Sequence, residues 1–151
     1  MLKVYIAGSI SGLSADDVFN YFGAMERILR LYGFVVNSPM TSREYLREEK
    51  VLSPEGYSGA STGHAIYKRD KWMISNSDIV FMNLGNSDTV SIGCMFELAW
   101  ADMLGKHIVV VKGNNSAYEH AFIGEAADII FNTTEEALEY LQTLAKASAS
   151  L

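Results

Sequence analysis

The stretch LKVYIA at residues 2–7, followed directly by GSISG at residues 8–12, decides the fold. A short apolar run that ends at glycine is typical of a buried strand, and a segment rich in glycine and serine is typical of a tight turn. Ser14 can then cap a helix that carries Asp17 at its third position. The stretch therefore predicts a strand, a turn and a helix in that order, which is the first unit of an α/β sheet.

The rest of the chain repeats this alternation. The first helix ends at Gly33, and Thr133 with Glu136 forms a capping box for the last helix. Between them we predict strands at residues 34–37, 78–84, 108–112 and 129–131, and helices at residues 65–76, 91–104 and 117–126. Strands separated by helices imply a parallel sheet with helices on both faces, because the crossovers are right-handed. We predict a Rossmann-like or flavodoxin-like, doubly wound α/β fold with five strands in the order 2-1-3-4-5.

The predicted strand order also predicts where a ligand binds. In the order 2-1-3-4-5 the chain changes direction across the sheet between strands 1 and 3, and the loops after these strands leave a crevice between them. We therefore expect the functional site near Gly8 and Ser9, after strand 1, and near residues 83–93, after strand 3.

The length and composition favour one soluble globular domain. The chain has 151 residues, 49% of them hydrophobic and 20% charged, so we treat residues 1–151 as one domain. Residues 39–64 lack a sustained period and are predicted to form a long functional loop or lid. Residues 146–151 are predicted to be a frayed tail.

Charge and cysteine content exclude several classes of function. The formal net charge is −6 and the basic residues are scattered, which argues against a nucleic-acid polymer as partner. The single cysteine, Cys94, has no intrachain partner, and the histidines lack metal-ligand spacing, so we expect a cytoplasmic protein without a metal or cofactor. No apolar run reaches the roughly 18 residues of a membrane-spanning helix.

Glu97 is the main candidate for chemistry. On the predicted helix its neighbours at helical spacing include Gly93, Cys94, Trp100 and Ala101, which form an apolar face. A carboxylate on such a face is unfavourable unless it is hydrogen-bonded. Glu97 is therefore either a functional group or a sign that the helix phase is wrong. Its side chain would lean toward the helix N-terminus and the predicted crevice.

Asp70 repeats this pattern on the preceding helix. Ile66, Tyr67, Met73 and Ile74 surround it at helical spacing, whereas Lys68, Arg69 and Lys71 are expected to face elsewhere. The alternative is a surface carboxylate among other charges, and the short helix leaves both interpretations open.

Two segments could bind an anion through backbone amides. The turn of Gly8, Ser9, Ile10 and Gly12 offers small residues and hydroxyls, although it matches neither a dinucleotide-binding motif nor a P-loop, and it could be only a tight turn. Ser91 and Gly93 begin the helix of Glu97, where free N–H groups favour negative charge. Ser91 could equally be a simple N-cap.

Taken together, these motifs resemble the nucleoside 2-deoxyribosyltransferase family. The resemblance runs from residue 4 to about residue 112 and rests on VYIAGSISG at 4–12, Asp70, SDIV at 77–80, the pattern Ser91-x-Gly93-x-x-x-Glu97-Leu98-x-x-Ala101, and Gly105-Lys106. It implies that Glu97 attacks C1′ of the sugar, that Tyr5 orients Glu97, and that Asp70 lies near the base and the sugar. It further implies a glycosyl-enzyme intermediate that is released to a second base or to water.

The chemistry of the residues agrees with that implication. An ionised carboxylate can stabilise and capture the oxocarbenium-like C1′, and the base leaves more easily when it is protonated. We expect burial to raise the pKa of Asp70, so that it can deliver a proton, while a hydrogen bond from Tyr5 keeps Glu97 ionised.

One position favours a hydrolytic branch of the family, the nucleoside 5′-monophosphate N-glycosidases. Family members that act on free nucleosides tend to carry Asp six residues before the catalytic Glu, whereas this chain has Ser91, which would not repel a 5′-phosphate. The resemblance also implies a homodimer or larger homo-oligomer with shared active sites, to which Ser116 or His120 could contribute a phosphate contact. The alternatives are a deoxyribosyltransferase that exchanges bases and a non-catalytic nucleotide-binding module.

Overall fold

Strands and helices alternate in the computed structural model, which describes residues 1–53 and 56–150. The strands are β1 (Lys3–Gly8), β2 (Val35–Asn37), β3 (Ile79–Asn83), β4 (His107–Val111) and β5 (Ile129–Phe131). The α-helices are α1 (Ala15–Leu31), α2 (Gly63–Ser75), α3 (Ile92–Met103), α4 (Ala121–Ala126) and α5 (Thr134–Ala149).

All the strand pairs are parallel, and the sheet has the order β2-β1-β3-β4-β5. This confirms the predicted doubly wound α/β fold. In the register of β1 and β3, Tyr5 lies beside Val80 and Gly8 lies beside Asn83. The carboxyl ends of these two strands therefore meet at one edge of the sheet, where the chain changes direction between β1 and β3.

The two faces of the sheet bury two separate apolar clusters. Val4 and Ile6 point toward the cluster that includes Phe22 and Leu29 of α1 and Leu141 of α5. Successive side chains of a strand point to opposite faces. Tyr5 and Ala7 accordingly point toward the cluster formed with α2, α3 and α4, and this face holds the candidate catalytic side chains.

The two helix caps predicted at Ser14 and Thr133 are confirmed. The Ser14 hydroxyl accepts a hydrogen bond from Asp17 N at 3.1 Å. At the start of α5, Thr133 Oγ1 accepts from Glu136 N at 3.2 Å and the Glu136 carboxylate accepts from Thr133 N at 3.1 Å, which completes the capping box.

The first half of the segment predicted as a loop or lid is packed against α1. The whole segment contains two 3₁₀ helices, Glu44–Glu48 and Gly59–Ser61, and α2 already begins at Gly63. Leu46 and Leu52 are buried in the α1 cluster, and Gly12 N donates to Leu52 O at 2.8 Å. Residues 54 and 55 of the predicted lid lie outside the described residues.

Two predicted elements differ from the structure. The helix predicted at 117–126 is divided into a 3₁₀ turn, Ser116–Tyr118, and α4, because Asn115 and His120 each cap a separate helix start. The predicted frayed tail is helical as far as Ala149, since alanine and lysine favour the helix; residue 151 lies outside the described residues.

None of the helices in the described residues is long and apolar enough to cross a membrane.

Candidate active site

Glu97 is buried and hydrogen-bonded to the first strand. Its side chain is on α3 and is 8% exposed, and the fully buried Tyr5 on β1 donates its hydroxyl proton to Glu97 Oε1 at 2.6 Å. Cys94 and Ala101, on the same helix face, are buried as well. The predicted apolar face of Glu97 is confirmed at Cys94 and Ala101, whereas Gly93 is exposed and Trp100 is half-buried. The carboxylate has the hydrogen bond that its burial requires.

Asp70 is also buried, and an arginine accompanies it. Asp70 on α2 is 6% exposed, and Arg69 Nε and Nη2 donate to its Oδ1 at 3.0 and 2.9 Å. The expectation that Arg69 faces elsewhere was wrong, because its long side chain folds back onto the neighbouring carboxylate. Arg69 also donates to the carbonyl oxygens of Pro39, at 2.7 Å, and Thr41, at 3.1 Å. It therefore fastens the start of the 39–64 segment to α2.

The expected rise in the pKa of Asp70 is confirmed, whereas the expectation that Tyr5 keeps Glu97 ionised was wrong. Burial raises the pKa of Glu97 to about 8; the hydrogen bond from Tyr5 opposes this rise, and the charge of Asp70 adds to it. Burial also raises the pKa of Asp70, but Arg69 favours its ionised form. The hydrogen bond from Tyr5 is thus too weak to keep Glu97 ionised against burial. At pH 7 Glu97 is therefore mainly protonated, while Arg69 opposes the rise in the pKa of Asp70.

Both carboxylates open into one cavity of about 530 Å³ at the carboxyl edge of the sheet. That volume suits a small organic ligand. Seven of the ten predicted site residues line it, namely Gly8, Ser9, Ile10, Asp70, Ser91, Gly93 and Glu97. The other three are Tyr5, Gly12 and His120. Tyr5 lies beneath the cavity and reaches it through Glu97.

The end of the cavity near β1 and α3 carries unpaired hydrogen-bonding groups. The Ser9 hydroxyl is buried and has no hydrogen-bond partner within the described part of the chain. Ser91 is the N-cap of α3, since its Oγ accepts from Cys94 N at 3.2 Å. The N–H groups of Ile92 and Gly93 in the first helical turn have no partner among the described residues. An anion would find donors and a favourable helix dipole at this end.

Gly12 and His120 lie elsewhere in the protomer. Gly12 has a φ of 83°, which only glycine adopts readily, so the turn itself explains this residue. His120 caps α4 by accepting from Phe122 N at 3.2 Å. It lines a separate, mostly apolar cavity of about 590 Å³ with Val90 and Phe122. Ser116 begins the 3₁₀ turn before α4.

The sequence interpretation missed two arginines at the site. Arg69 holds Asp70, and Arg43, which is only 3% exposed, lines the same cavity as Glu97. Arg69 was taken for one of several surface charges around Asp70. Arg43 lies in a segment without periodicity, so no pattern could have placed its side chain.

Cys94 is buried, and burial raises the pKa of its thiol to about 12, so it is a neutral packing residue beside Glu97. Within residues 1–53 and 56–150, no group of three or more His, Cys, Asp or Glu side chains is arranged to hold a metal ion.

Comparison with solved structures finds the same fold in several enzymes. A 2-deoxyribosyltransferase from Bacillus psychrosaccharolyticus has a TM-score of 0.66 and 21% identity, with 91% of each chain covered. The CMP N-glycosidase BcmB from Clostridium botulinum has a TM-score of 0.56 and 20% identity, with 96% of this chain and 98% of that chain covered. A 2-deoxyribosyltransferase from Leishmania mexicana has a TM-score of 0.64 and 17% identity, over 95% of this chain and 98% of that chain.

No curated protein sequence matches the chain significantly. The family model for nucleoside 2-deoxyribosyltransferase, in contrast, matches residues 4–143, which include both carboxylates, β1 from its second residue onward and the other four strands. The resemblance in the sequence motifs is thereby confirmed. The chain is an enzyme, and it belongs to the nucleoside 2-deoxyribosyltransferase family.

Proposed function

We propose that this enzyme cleaves the N-glycosidic bond of nucleoside 5′-monophosphates through a glycosyl-enzyme intermediate on Glu97. The observation that carries the proposal is the buried hydrogen bond of 2.6 Å from Tyr5 to Glu97, in a cavity that also contains Asp70. A carboxylate held in a fixed position beside a second carboxylate is the arrangement that displacement at an anomeric carbon requires.

In the first step the ionised form of Glu97 attacks C1′ of the sugar. Arg69 favours the ionised form of Asp70, the second carboxylate in the cavity. As the bond from Glu97 Oε to C1′ forms, the bond from C1′ to the base nitrogen breaks, and its electron pair leaves with the base, which departs as an anion.

In the second step water attacks C1′ and Glu97 leaves as a carboxylate. Asp70 accepts the proton of the water and passes it to the anionic base, so that the sum of both steps consumes one water, restores both carboxylates and yields a free base and a sugar phosphate. Tyr5 keeps its hydrogen bond to Glu97 through both steps and limits the movement of the nucleophile.

The donors at the start of α3 favour a phosphorylated substrate. Ser9, Ser91, Ile92 and Gly93 line the cavity, the N–H groups of Ile92 and Gly93 are unpaired among the described residues, and no carboxylate occupies the position of Ser91. A Cβ at Gly8 or Gly93 would meet only ordinary contacts within the chain, so the fold does not require glycine there. Glycine at both positions leaves room for a phosphate to approach the backbone.

The second candidate is base exchange on free deoxynucleosides through the same Glu97 intermediate. Solved structures with this fold include both deoxyribosyltransferases and a CMP N-glycosidase, so the fold is compatible with either acceptor. The two activities differ only in whether a base or water releases the sugar. The non-catalytic alternative is set aside because the chain belongs to a family of enzymes.

A homo-oligomer with shared sites also remains a proposal. Tyr67, Phe96 and Trp100 form an edge-to-face cluster on the outer surface of α2 and α3, and Met103 on the same helix is 85% exposed. Such apolar patches mark interaction surfaces. A second copy on this side could bring Ser116 or His120 toward a neighbouring site.

The cytosolic location expected from the single cysteine is likewise a proposal.

The experiment that tests the function is a chromatographic assay of base release. The substrates are ribo- and deoxyribonucleoside 5′-monophosphates and the matching nucleosides, each with and without a second free base. We expect release from monophosphates at a rate that the added base does not change. Base exchange on unphosphorylated deoxynucleosides would favour the second candidate, and the absence of release from every compound would refute both.

A further inference from the structure

Arg43 is a buried cation that has no oxygen acceptor among the described residues. It is 3% exposed and lines the cavity of Glu97 and Asp70. Within the described residues, its guanidinium makes a single hydrogen bond, from Nη1 to the Met40 sulfur at 3.9 Å, and Nε is buried without a partner. No carboxylate of the described chain lies within ion-pair distance of Arg43. Such a charge is unfavourable unless something binds it.

Arg69, which lies near Arg43, differs from it in having oxygen acceptors for its guanidinium. Its guanidinium donates to Asp70 and to the carbonyl oxygens of Pro39 and Thr41. Burial and the positive charge of Arg69 both lower the pKa of Arg43, and Asp70 only partly offsets this. A guanidinium has five N–H donors and no acceptor. The cavity therefore presents unused donors that only an acceptor or a negative charge can satisfy.

Arg43 lines the cavity near Asp70, because Arg69 donates both to Asp70 and to the carbonyl oxygen of Thr41, two residues before Arg43. In agreement, the charge of Arg43 acts on Asp70 and Arg69. The unpaired donors of Ser9 and Gly93 belong to other segments of the cavity wall, the loop after β1 and the first turn of α3. A sugar whose C1′ faces Glu97, with its phosphate at α3, places its base toward Arg43.

We propose that Arg43 donates a hydrogen bond to a carbonyl oxygen of the leaving base, one that is conjugated to the glycosidic nitrogen. The inference rests on the proposed function and names its substrate class, nucleotides of a carbonyl-bearing base. When the C1′–N bond breaks, its electron pair enters the ring of the base, and part of the negative charge develops on that oxygen. Arg43 stabilises this charge until the proton from Asp70 neutralises the base.

A kinetic experiment tests the proposal through the leaving group. Base release from 2′-deoxyuridine 5′-monophosphate is compared with release from its 5-fluoro analogue, whose base is the better leaving group. We expect Arg43→Gln to lower kcat on the uracil substrate about 10- to 100-fold, as for one lost charge-assisted hydrogen bond. The loss on the 5-fluoro substrate should be several-fold smaller. Equal losses on both substrates, or no loss, would overturn the proposal.

A binding experiment separates this proposal from the proposed function. Free uracil is titrated calorimetrically into the wild-type enzyme and into Arg43→Gln, and we expect binding at least about tenfold weaker in the variant. Equal affinities, or no binding to the wild type at millimolar concentration, would overturn the role of Arg43. If the wild type releases no base but Arg43→Gln still weakens uracil binding, the proposed function fails and the base contact stands.

Two further variants control for folding. Arg47→Gln is the matched control, because Arg47 lies in the same segment but packs over the Phe19 ring at 4.8 Å and does not line the cavity. It should bind uracil as the wild type does. Arg43→Lys keeps the charge and loses the planar fork. If Arg43→Gln does not fold, wild-type affinity in Arg43→Lys would count against the proposal and several-fold weaker binding would support it.

Discussion

Replacing Tyr5 with Phe removes one hydroxyl group and should weaken the enzyme in a pH-dependent way. The Tyr5 hydroxyl donates to Glu97 at 2.6 Å, and this hydrogen bond lowers the pKa of Glu97 against the rise caused by burial. Without it, the pKa of Glu97 should rise above about 8 and the ionised nucleophile should become scarcer at neutral pH.

The magnitude follows from the kind of hydrogen bond that is lost. A hydrogen bond to a charged group contributes about 1.5–3 kcal/mol, which corresponds to a factor of about 10 to 100 in the ionised fraction of Glu97. We therefore expect Tyr5→Phe to lower kcat/KM about 10- to 100-fold at pH 7. The loss should shrink as the pH rises toward 10, where Glu97 ionises in both enzymes.

The assay is a profile of kcat/KM against pH, because this ratio reports ionisations of the free enzyme. In the wild type we expect the rate to rise with pH up to about 8 and then to level off, since only ionised Glu97 attacks. In Tyr5→Phe the rising limb should move to higher pH. A loss of equal size at every pH would refute this reasoning and would assign Tyr5 another role.

Tyr140→Phe is the matched control. Tyr140 on α5 hydrogen-bonds His107 at 2.7 Å, far from the cavity of Glu97 in the opposite cluster of the core. Its loss should lower stability by about 1 kcal/mol, and the pH profile should not move.

Three further predictions concern stability and charge. Glu97→Gln should abolish turnover yet raise Tm at pH 9 by roughly 5 °C or more, because burial favours the protonated form of Glu97 and the protein loses stability as the pH rises from about 4.5 through about 8. Thermal unfolding of both proteins at pH 5 and pH 9 measures this effect, and an equal Tm difference at both pH values would contradict it. Asp70→Asn removes the negative charge that raises the pKa of Glu97, so the rising limb of the variant's kcat/KM profile should move to lower pH while the rate falls. This shift is opposite to that of Tyr5→Phe, and a limb that stays in place would show that the charge of Asp70 does not act on Glu97. Thr133→Ala removes the cap of α5 and should lower the free energy of unfolding by about 1 kcal/mol, or Tm by roughly 2–4 °C, with kcat unchanged. A Tm equal to that of the wild type would show that the capping box does not stabilise the protein.

The order of the strands could be predicted because local signals agree with the global fold. The apolar run at residues 2–7, the cap at Ser14 and the capping box at Thr133 each specify a strand or a helix start without help from the rest of the chain. Glu97 was recognised in the same way, since a carboxylate on an apolar helix face is unusual enough to indicate a buried site.

The ionisation of the site could not be predicted from the same pattern. Which carboxylate holds the proton depends on how Arg69 folds back onto Asp70 and on how completely Glu97 is desolvated, and both are properties of the packed structure. Arg43 was not recognised because residues 39–64 have no hydrophobic periodicity. Which of their side chains face the cavity is fixed only by tertiary contacts, such as the hydrogen bond between Gly12 and Leu52. Helix ends such as that of α5 at Ala149 depend on similarly weak preferences.

The claim that Glu97 is the nucleophile is tested most directly by trapping the intermediate. The enzyme is incubated with a 2′-deoxy-2′-fluoro-arabinonucleoside 5′-monophosphate, whose fluorine slows release of the sugar, then denatured, digested and analysed by mass spectrometry. The account predicts a sugar phosphate attached to the peptide that contains Glu97, formed together with one equivalent of free base, and no adduct in Glu97→Gln. Base release with no adduct on that peptide, or with the sugar attached to another residue, would contradict it.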